Sequence, residues 1–270
     1  MSARLSGIVL KIERAKQHIA DLEGRIESFR KSDSYRIVRD QHAQTDVFRF
    51  KIREQISAMV AVIIGEAIHH LRSALDHLIY QLVDANGNLV GDGGRLYFPC
   101  FETAPKKEAE FSGKIKGVAP RAEHMIRALQ PYVSGDKTLA FLCKLDNINK
   151  HRLLFVTVFG FRNLKLRASG RAPRVSFKVG KVAYVWYGRP TDTPPAKVNS
   201  RFSELQDGDE ILEIEWFDGR PSADFYENLN FTFDVAFVQP QIVNGKAVLP
   251  FLQELVKFVE GVVLIFKSFL

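Results

Sequence analysis

The sequence predicts an α+β protein: a helical bundle formed by both chain ends, with an antiparallel β-sheet inserted between them. Three observations carry this. Apolar residues recur at helical spacing up to about residue 150, β-rich runs parted by Gly, Pro and Asp follow His151, and helical spacing returns near residue 247. On this reading residues 1–150 and 245–270 form the bundle, together with a small N-terminal hairpin. Residues 151–244 form the sheet region, basic in its first half. With 270 residues, 46% hydrophobic and 11% aromatic, the chain has ample material for a packed core.

Each element follows from its own pattern. Leu5, Ile8, Val9, Ile12, Ile19, Leu22, Ile26 and Phe29 share one face of a helix over 5–29. The run YRIVRDQHAQTDVFRFKI then alternates as a short hairpin does. A long helix is predicted from Ala58 to Asp84, ended by the turn-forming DANGNLVGDGG. After the Pro-punctuated loop YFPCFETAPKKEAEF, helices are expected over 119–129 and 136–149. The runs RLLFVTVFGF, RVSFKVG, KVAYVWYG, EILEIEWFD and NLNFTFDVAFV predict an antiparallel sheet of about five strands. A closing helix over 247–269 is apolar, but Glu254, Lys257, Glu260 and Lys267 interrupt it short of the roughly 20 apolar residues a membrane span needs. No repeat and no low-complexity tract occurs.

The net charge of +7 is regional. Between Asn147 and Thr191 there is no Asp or Glu, yet the stretch holds Lys150, Arg152, Arg162, Lys165, Arg167, Arg171, Arg174, Lys178, Lys181 and Arg189. Such a stretch is the footprint of a surface that meets RNA or another polyanion, or else a set of solvated strand faces. The opening MSARLSGIVLKIERAKQHIADLEGRI is too regularly charged for a signal peptide, so a cytoplasmic location is expected, with no membrane partner. Cys100 and Cys143 have no CxxC spacing and are expected to be reduced, buried and inert.

The stretch HHLRSALDH, residues 69–77, raises the question of function. On a helical wheel Ile63, Ile64, Ala67, Leu71, Ala74, Leu75, Leu78 and Leu82 fall on one side. Glu66, His69, His70, Ser73, Asp76, His77, Tyr80 and Asp84 fall on the other, with Arg72 at the margin. A solvated face is usually filled with Lys, Glu and Gln, but no lysine lies between Lys51 and Lys106. Histidine, serine and tyrosine cost helix propensity and bring chemistry, or else hydrogen bonds to neighbouring helices. A second cluster, LDNINKHR, sets Asp146, Asn147, Lys150, His151 and Arg152 at the junction of helix and sheet. It is either a functional junction or a helix end whose dipole is met by the cations.

The segment from Arg72 to His77 resembles the Arg-x₄₋₆-His signature of HEPN domains, helical bundles of which many are dimeric, metal-independent ribonucleases of toxin–antitoxin and antiviral systems. Arg36 and His42 in the hairpin region also fit that spacing, and the helical context singles out Arg72. The pairing of RSALDH with LDNINKHR also looks like an uncharacterised bacterial family, which implies no activity. The HEPN resemblance covers at most the helical part. It implies an endoribonuclease of toxin or defence type, cleaving RNA by internal transfer without a cofactor, and a homodimer. Arg72, His77 and His151 would be catalytic, while Ser73, Asp76, Tyr80, Lys150 and Arg152 would bind substrate. An imidazole moves the proton and a guanidinium forks onto phosphate oxygens.

Two other classes stay open. Glu66, His70 and His77 stand nearly in line along the helix and form an alternative metal set for a hydrolase, since imidazole and carboxylate suit zinc, iron or manganese. A nucleotide- or nucleic-acid-binding module without turnover is the other. No P-loop, Gly-rich dinucleotide turn or GxSxG elbow occurs, which sets aside nucleotide hydrolysis and serine-esterase chemistry.

Overall fold

The protein is described from a computed structural model, which covers residues 3–88, 95–154, 156–159, 164–165, 175–179, 182–186, 205–216, 230–231, 234–238 and 241–270. It is an α+β protein with helices at both chain ends. The chain divides into two compact units: residues 1–25, 58–155 and 248–270 form the first, and residues 26–57 and 156–247 the second.

The first unit is helical and is organised around α2 (Ala58–Ala85). Leu71, Ala74, Leu75 and Leu78 are fully buried, as the apolar side of the wheel predicts, and so are Ile68 and Ile79. Among the described residues α2 is the one helix long and apolar enough to cross a membrane, and here its apolar side is met by α6 (Thr138–Asn149) and α7 (Val248–Phe266). The helix α1 (Ala3–Lys31) lies along α2 in the opposite sense: Arg4 pairs with Asp84 at 2.9 Å, and His18 reaches Glu66 at 3.3 Å. Farther along, Lys16 of α1 pairs with Glu260 of α7 at 2.7 Å. The expected helices over 119–129 and 136–149 appear as α4 (Pro120–Ala128) and α6. Two single turns were not expected, α3 (Glu108–Ser112) and α5 (Pro131–Ser134). Proline opens α4 and α5, where its missing N–H costs nothing, and Gly135 closes α5 at φ 76°.

The second unit holds the strands, and it corrects the sequence reading in two respects. The N-terminal hairpin, β1 (Tyr35–Gln41) and β2 (Thr45–Ile52), belongs here and not with the helices. The strand β2 pairs with β1 on one side and with β7 (Glu210–Trp216) on the other, all antiparallel. The cause is visible in β2 itself: Val47, Phe48 and Phe50 are buried, and a two-stranded hairpin alone does not supply that cover. Nor, among the described residues, do the later runs form one sheet. β5 (Val175–Val179) and β6 (Val182–Trp186) complete a five-stranded sheet ordered β1-β2-β7-β5-β6. β3 (Val156–Phe159) pairs instead with β9 (Asp234–Phe237), and β4 (Leu164–Lys165) with β8 (Asn230–Phe231). Of the basic stretch, Lys165 lies in β4 and Lys178 in β5, while Arg162, Arg167, Arg171, Arg174, Lys181 and Arg189 lie outside the described residues.

Candidate active site on helices α2 and α6

The polar residues of α2 fall into three groups that do different work. The first is a clamp. Arg72 is mostly buried, with its side chain 11% exposed, and it spends donors inside the protein. One terminal nitrogen donates to the Phe98 carbonyl at 2.8 Å and lies 2.8 Å from Asp76, and the other donates to Cys143 Sγ at 3.4 Å. Asp76 in turn accepts the Phe98 N–H at 2.8 Å, so arginine and aspartate satisfy both polar groups of one loop residue. Burial works against the Arg72 charge, but Cys143, Asp76, Cys100 and Asp146 more than offset it and its pKa rises. Burial raises the Asp76 pKa, against the pull of Arg72 and of the Phe98 N–H. Buried Gln130 does the same service farther on, donating to the Pro99 carbonyl and accepting the Phe101 N–H, each at 3.0 Å.

The second group faces α1. His70 stacks on His18 with ring centroids 5.4 Å apart, and its Nδ1 is buried with no hydrogen-bond partner among the described residues. Burial, then Lys11, His18, His69 and Arg14, hold the His70 pKa below its ordinary 6.5. As pH falls, the unfolded chain therefore takes up this proton first. The stability tied to neutral His70 is complete above about pH 6.5 and is lost as pH drops through the lower folded-state value. Urea denaturation across this range should show stability falling below pH 6.5, with a shallower fall in His70→Gln; identical slopes in the two proteins would exclude His70 as the cause. His77 is exposed on this same side, where a Cβ added at Gly7 would stand 3.9 Å from its Nδ1.

The third group is an aspartate–histidine dyad that the sequence reading did not assemble. Asp146 of α6 is 1% exposed, and both its oxygens are engaged: Oδ1 lies 3.0 Å from His69 Nδ1, and Oδ2 lies 2.6 Å from Lys150 Nζ. An ionised carboxylate only accepts, so Nδ1 carries the proton and the other ring nitrogen of neutral His69 holds a free lone pair. The side chains of His69 and Lys150 are 52% and 51% exposed. A buried acceptor thus fixes two groups that face solvent, an imidazole and an ammonium.

Close packing of α2 on α6 sets this geometry. A Cβ at Gly65 would fall 1.9 Å from Asn149 Oδ1, so glycine is what lets the Asn149 side chain lie over α2 one turn before His69. Gly65→Ala should cost about 1–3 kcal/mol by overpacking, although alanine is the better helix former by about 1 kcal/mol. The cost should largely vanish when Asn149→Ala is added, a non-additivity that a urea double-mutant cycle measures directly.

The residues expected to act together are therefore separated. Arg72 and His77 are five positions apart, roughly 140° around the helix, and Arg72 is committed to the Phe98 segment while His77 faces α1. Ser73 and Tyr80 are half-buried on α2. His151 and Arg152 are exposed just beyond α6, and both donate their backbone N–H to the Ile148 carbonyl, closing the helix. The alternative metal set is not assembled either: Glu66 is engaged with His18, and His77 stands roughly 16 Å along the helix axis from Glu66. Among the described residues no three His, Cys, Asp or Glu side chains are grouped to hold a metal ion. The missed pairing of His69 with Asp146 spans 77 residues, and its trace in the sequence is that both lie in the two polar clusters. Compared with known proteins, the chain significantly matches no family model, no curated protein and no solved structure.

Proposed function

We propose that the α2–α6 face is the working surface of a metal-independent endoribonuclease that cleaves RNA by internal transfer, with the His69–Asp146 dyad as its proton-transfer centre. The single observation that carries this is the Asp146 carboxylate, which presents His69 through Nδ1 and Lys150 through its ammonium on one exposed surface. The free ring nitrogen of His69 takes the 2′-OH proton, Asp146 stabilises the imidazolium that results, and the Lys150 ammonium meets the charge growing on the phosphorane. His151, next in the chain to Lys150, is the candidate acid for the leaving 5′ oxygen. An open site of this kind suits a polymer that lies across the surface. The basic stretch 147–191 supports a polyanionic substrate, and a proton acceptor set beside an ammonium suits RNA, whose 2′-OH supplies the proton. On this reading Arg72 positions the loop and does not touch phosphate.

The test is incubation of the purified full chain with mixed-sequence RNA in EDTA. Products ending in a 2′,3′-cyclic phosphate are expected, and the matching DNA should stay intact because it lacks the 2′-OH. Activity that EDTA abolishes and a metal restores would overturn the reading. Binding without cleavage of any RNA would make the surface a recognition module.

The homodimer expectation has a physical basis in a groove of about 550 Å³ between α1 and the C-terminal end of the chain, lined by Leu5, Val9, Ile12, Val263, Leu264 and Leu270. Leu264 in its lining is 70% exposed, and Glu13, Glu260 and Lys267 rim the groove, an apolar centre with a charged edge of the kind a second chain covers. Sedimentation at micromolar concentration should give twice the chain mass, and Leu264→Asp should give a monomer. A monomeric wild type would remove the dimer from the proposal.

A further inference from the structure

The seam between α1 and α2 carries a charge pattern that neither helix explains by itself. Arg4 pairs with Asp84, a Cβ at Gly7 would stand 3.9 Å from His77 Nδ1, and His18 meets both Glu66 and the His70 ring, which fixes the antiparallel register of the two helices. Gly7, Lys11, Arg14 and His18 follow one another at steps of four, three and four, a single stripe along α1. The register therefore sets Lys11 and Arg14 opposite the turns of α2 between His77 and His70. The other cations of α1, which are Arg4, Lys16, Arg25, Arg30 and Lys31, each meet an acid. Among the described residues Lys11 and Arg14 meet none, and the side-chain partner of Arg14 is Gln17, at 3.1 Å. The rings of His18 and His70 stack at 5.4 Å, the His69 ring lies 6.2 Å from that of His70, and Glu66 is the carboxylate that reaches this cluster. Two fixed cations and three imidazoles around one acid repel one another in the free protein, and a bound anion removes that repulsion.

We propose that this seam is a phosphate site, in which Lys11 and Arg14, backed by the His18–His70 stack, hold a backbone phosphate of the strand whose scissile phosphate meets the His69–Asp146 dyad. An arginine fork and a lysine ammonium suit phosphate oxygens, and these two have no acid partner to give up. Lys11 is half-buried and Arg14 exposed, so the cations open toward solvent, where a strand passes. His69 neighbours His70 and belongs to the dyad, which joins the seam to the cleaving surface. The identity of the strand rests on the ribonuclease reading, whereas the unmatched cations of α1 do not. His70 adds a pH dependence. Its Nδ1 is buried with no partner among the described residues, and burial, then Lys11, His18, His69 and Arg14, keep its pKa below the ordinary 6.5. A phosphate at the seam offsets those cations and favours the imidazolium, so binding takes up a proton and tightens as pH falls. A phosphodiester does not titrate near neutral pH, so this dependence belongs to the protein.

The experiment titrates the full chain into a fluorescein-labelled single-stranded deoxyoligonucleotide of mixed sequence, which internal transfer cannot cleave, and reads anisotropy over a series of salt concentrations. The double variant Lys11→Gln, Arg14→Gln should bind about tenfold more weakly at low salt, and its plot of log affinity against log salt should be flatter by about 1.4, roughly 0.7 for each cation lost. The same variant should unfold in urea at the wild-type midpoint or above it, because these cations serve a ligand and not the fold. Wild-type affinity should rise between pH 8 and pH 6, and the rise should be smaller in His70→Gln. No binding at low salt, an unchanged salt slope in the double variant, or a lower urea midpoint would each overturn the proposal. Failure of the cleavage reading is separate: a chain that cuts no RNA but shows the predicted slope keeps its phosphate site, and one that cuts RNA with the slope unchanged in the double variant loses only this site.

Discussion

Asp146→Asn should lower metal-free RNA cleavage by about 10² to 10⁴ while leaving the circular dichroism spectrum unchanged. The carboxylate is 1% exposed and fixes the His69 ring through Nδ1. An asparagine of the same shape presents either an oxygen or an amino group to that nitrogen. If it turns the amino group, the proton moves to the outer nitrogen of His69 and the base is lost; if it turns the oxygen, the imidazolium loses its counter-charge. Either way proton transfer suffers more than binding, so the loss should fall on kcat and not on KM. The fold should survive because the volume is conserved and Lys150, half-exposed, regains water when its partner loses charge. A variant within a few-fold of wild type would show that Asp146 only joins two helices.

Arg72→Ala should lower the unfolding free energy by about 2–4 kcal/mol in urea denaturation, the largest stability effect expected of any polar residue on α2. The change removes three interactions at once and leaves the Phe98 carbonyl and a half-buried Asp76 without their cation. Arg72→Lys should recover part of this, because an ammonium keeps the charge but cannot reach the carbonyl, the carboxylate and the sulfur with the geometry of a planar fork. If Arg72 instead served phosphate, Arg72→Ala would weaken RNA binding or cleavage with little change in stability.

What was legible in the sequence was whatever one element decides alone. The helical period of α2 is long and regular, and its buried side matches the wheel from Ile63 to Leu82. Alternation marked β2 correctly as a strand of a hairpin, but it says nothing of which further strand lies alongside, so the pairing of Val47 with Glu213 and of Phe48 with Leu212 could not be read. The site divides in the same way. That the polar side of α2 does more than face water was legible from its histidines and its lack of lysine. Which of those residues meets which was not, because Asp146 and the Phe98 carbonyl come from other segments. Arg72 sat at the margin between the two faces of the wheel, where a small rotation decides between solvent and core, and the carbonyl of Phe98 decided it. The spacing from Arg72 to His77 looked like a site because both residues are chemically apt. Around a helix, however, five positions set them on different sides.

Single-turnover cleavage of an end-labelled RNA in EDTA, measured side by side for wild type, His69→Ala and His77→Ala, separates the two histidines most directly. Both side chains are exposed, so neither change should unfold the protein. His69→Ala should lose about 10² to 10⁴ in rate and His77→Ala should stay within a few-fold of wild type; a silent His77→Ala beside an active His69→Ala would contradict the dyad.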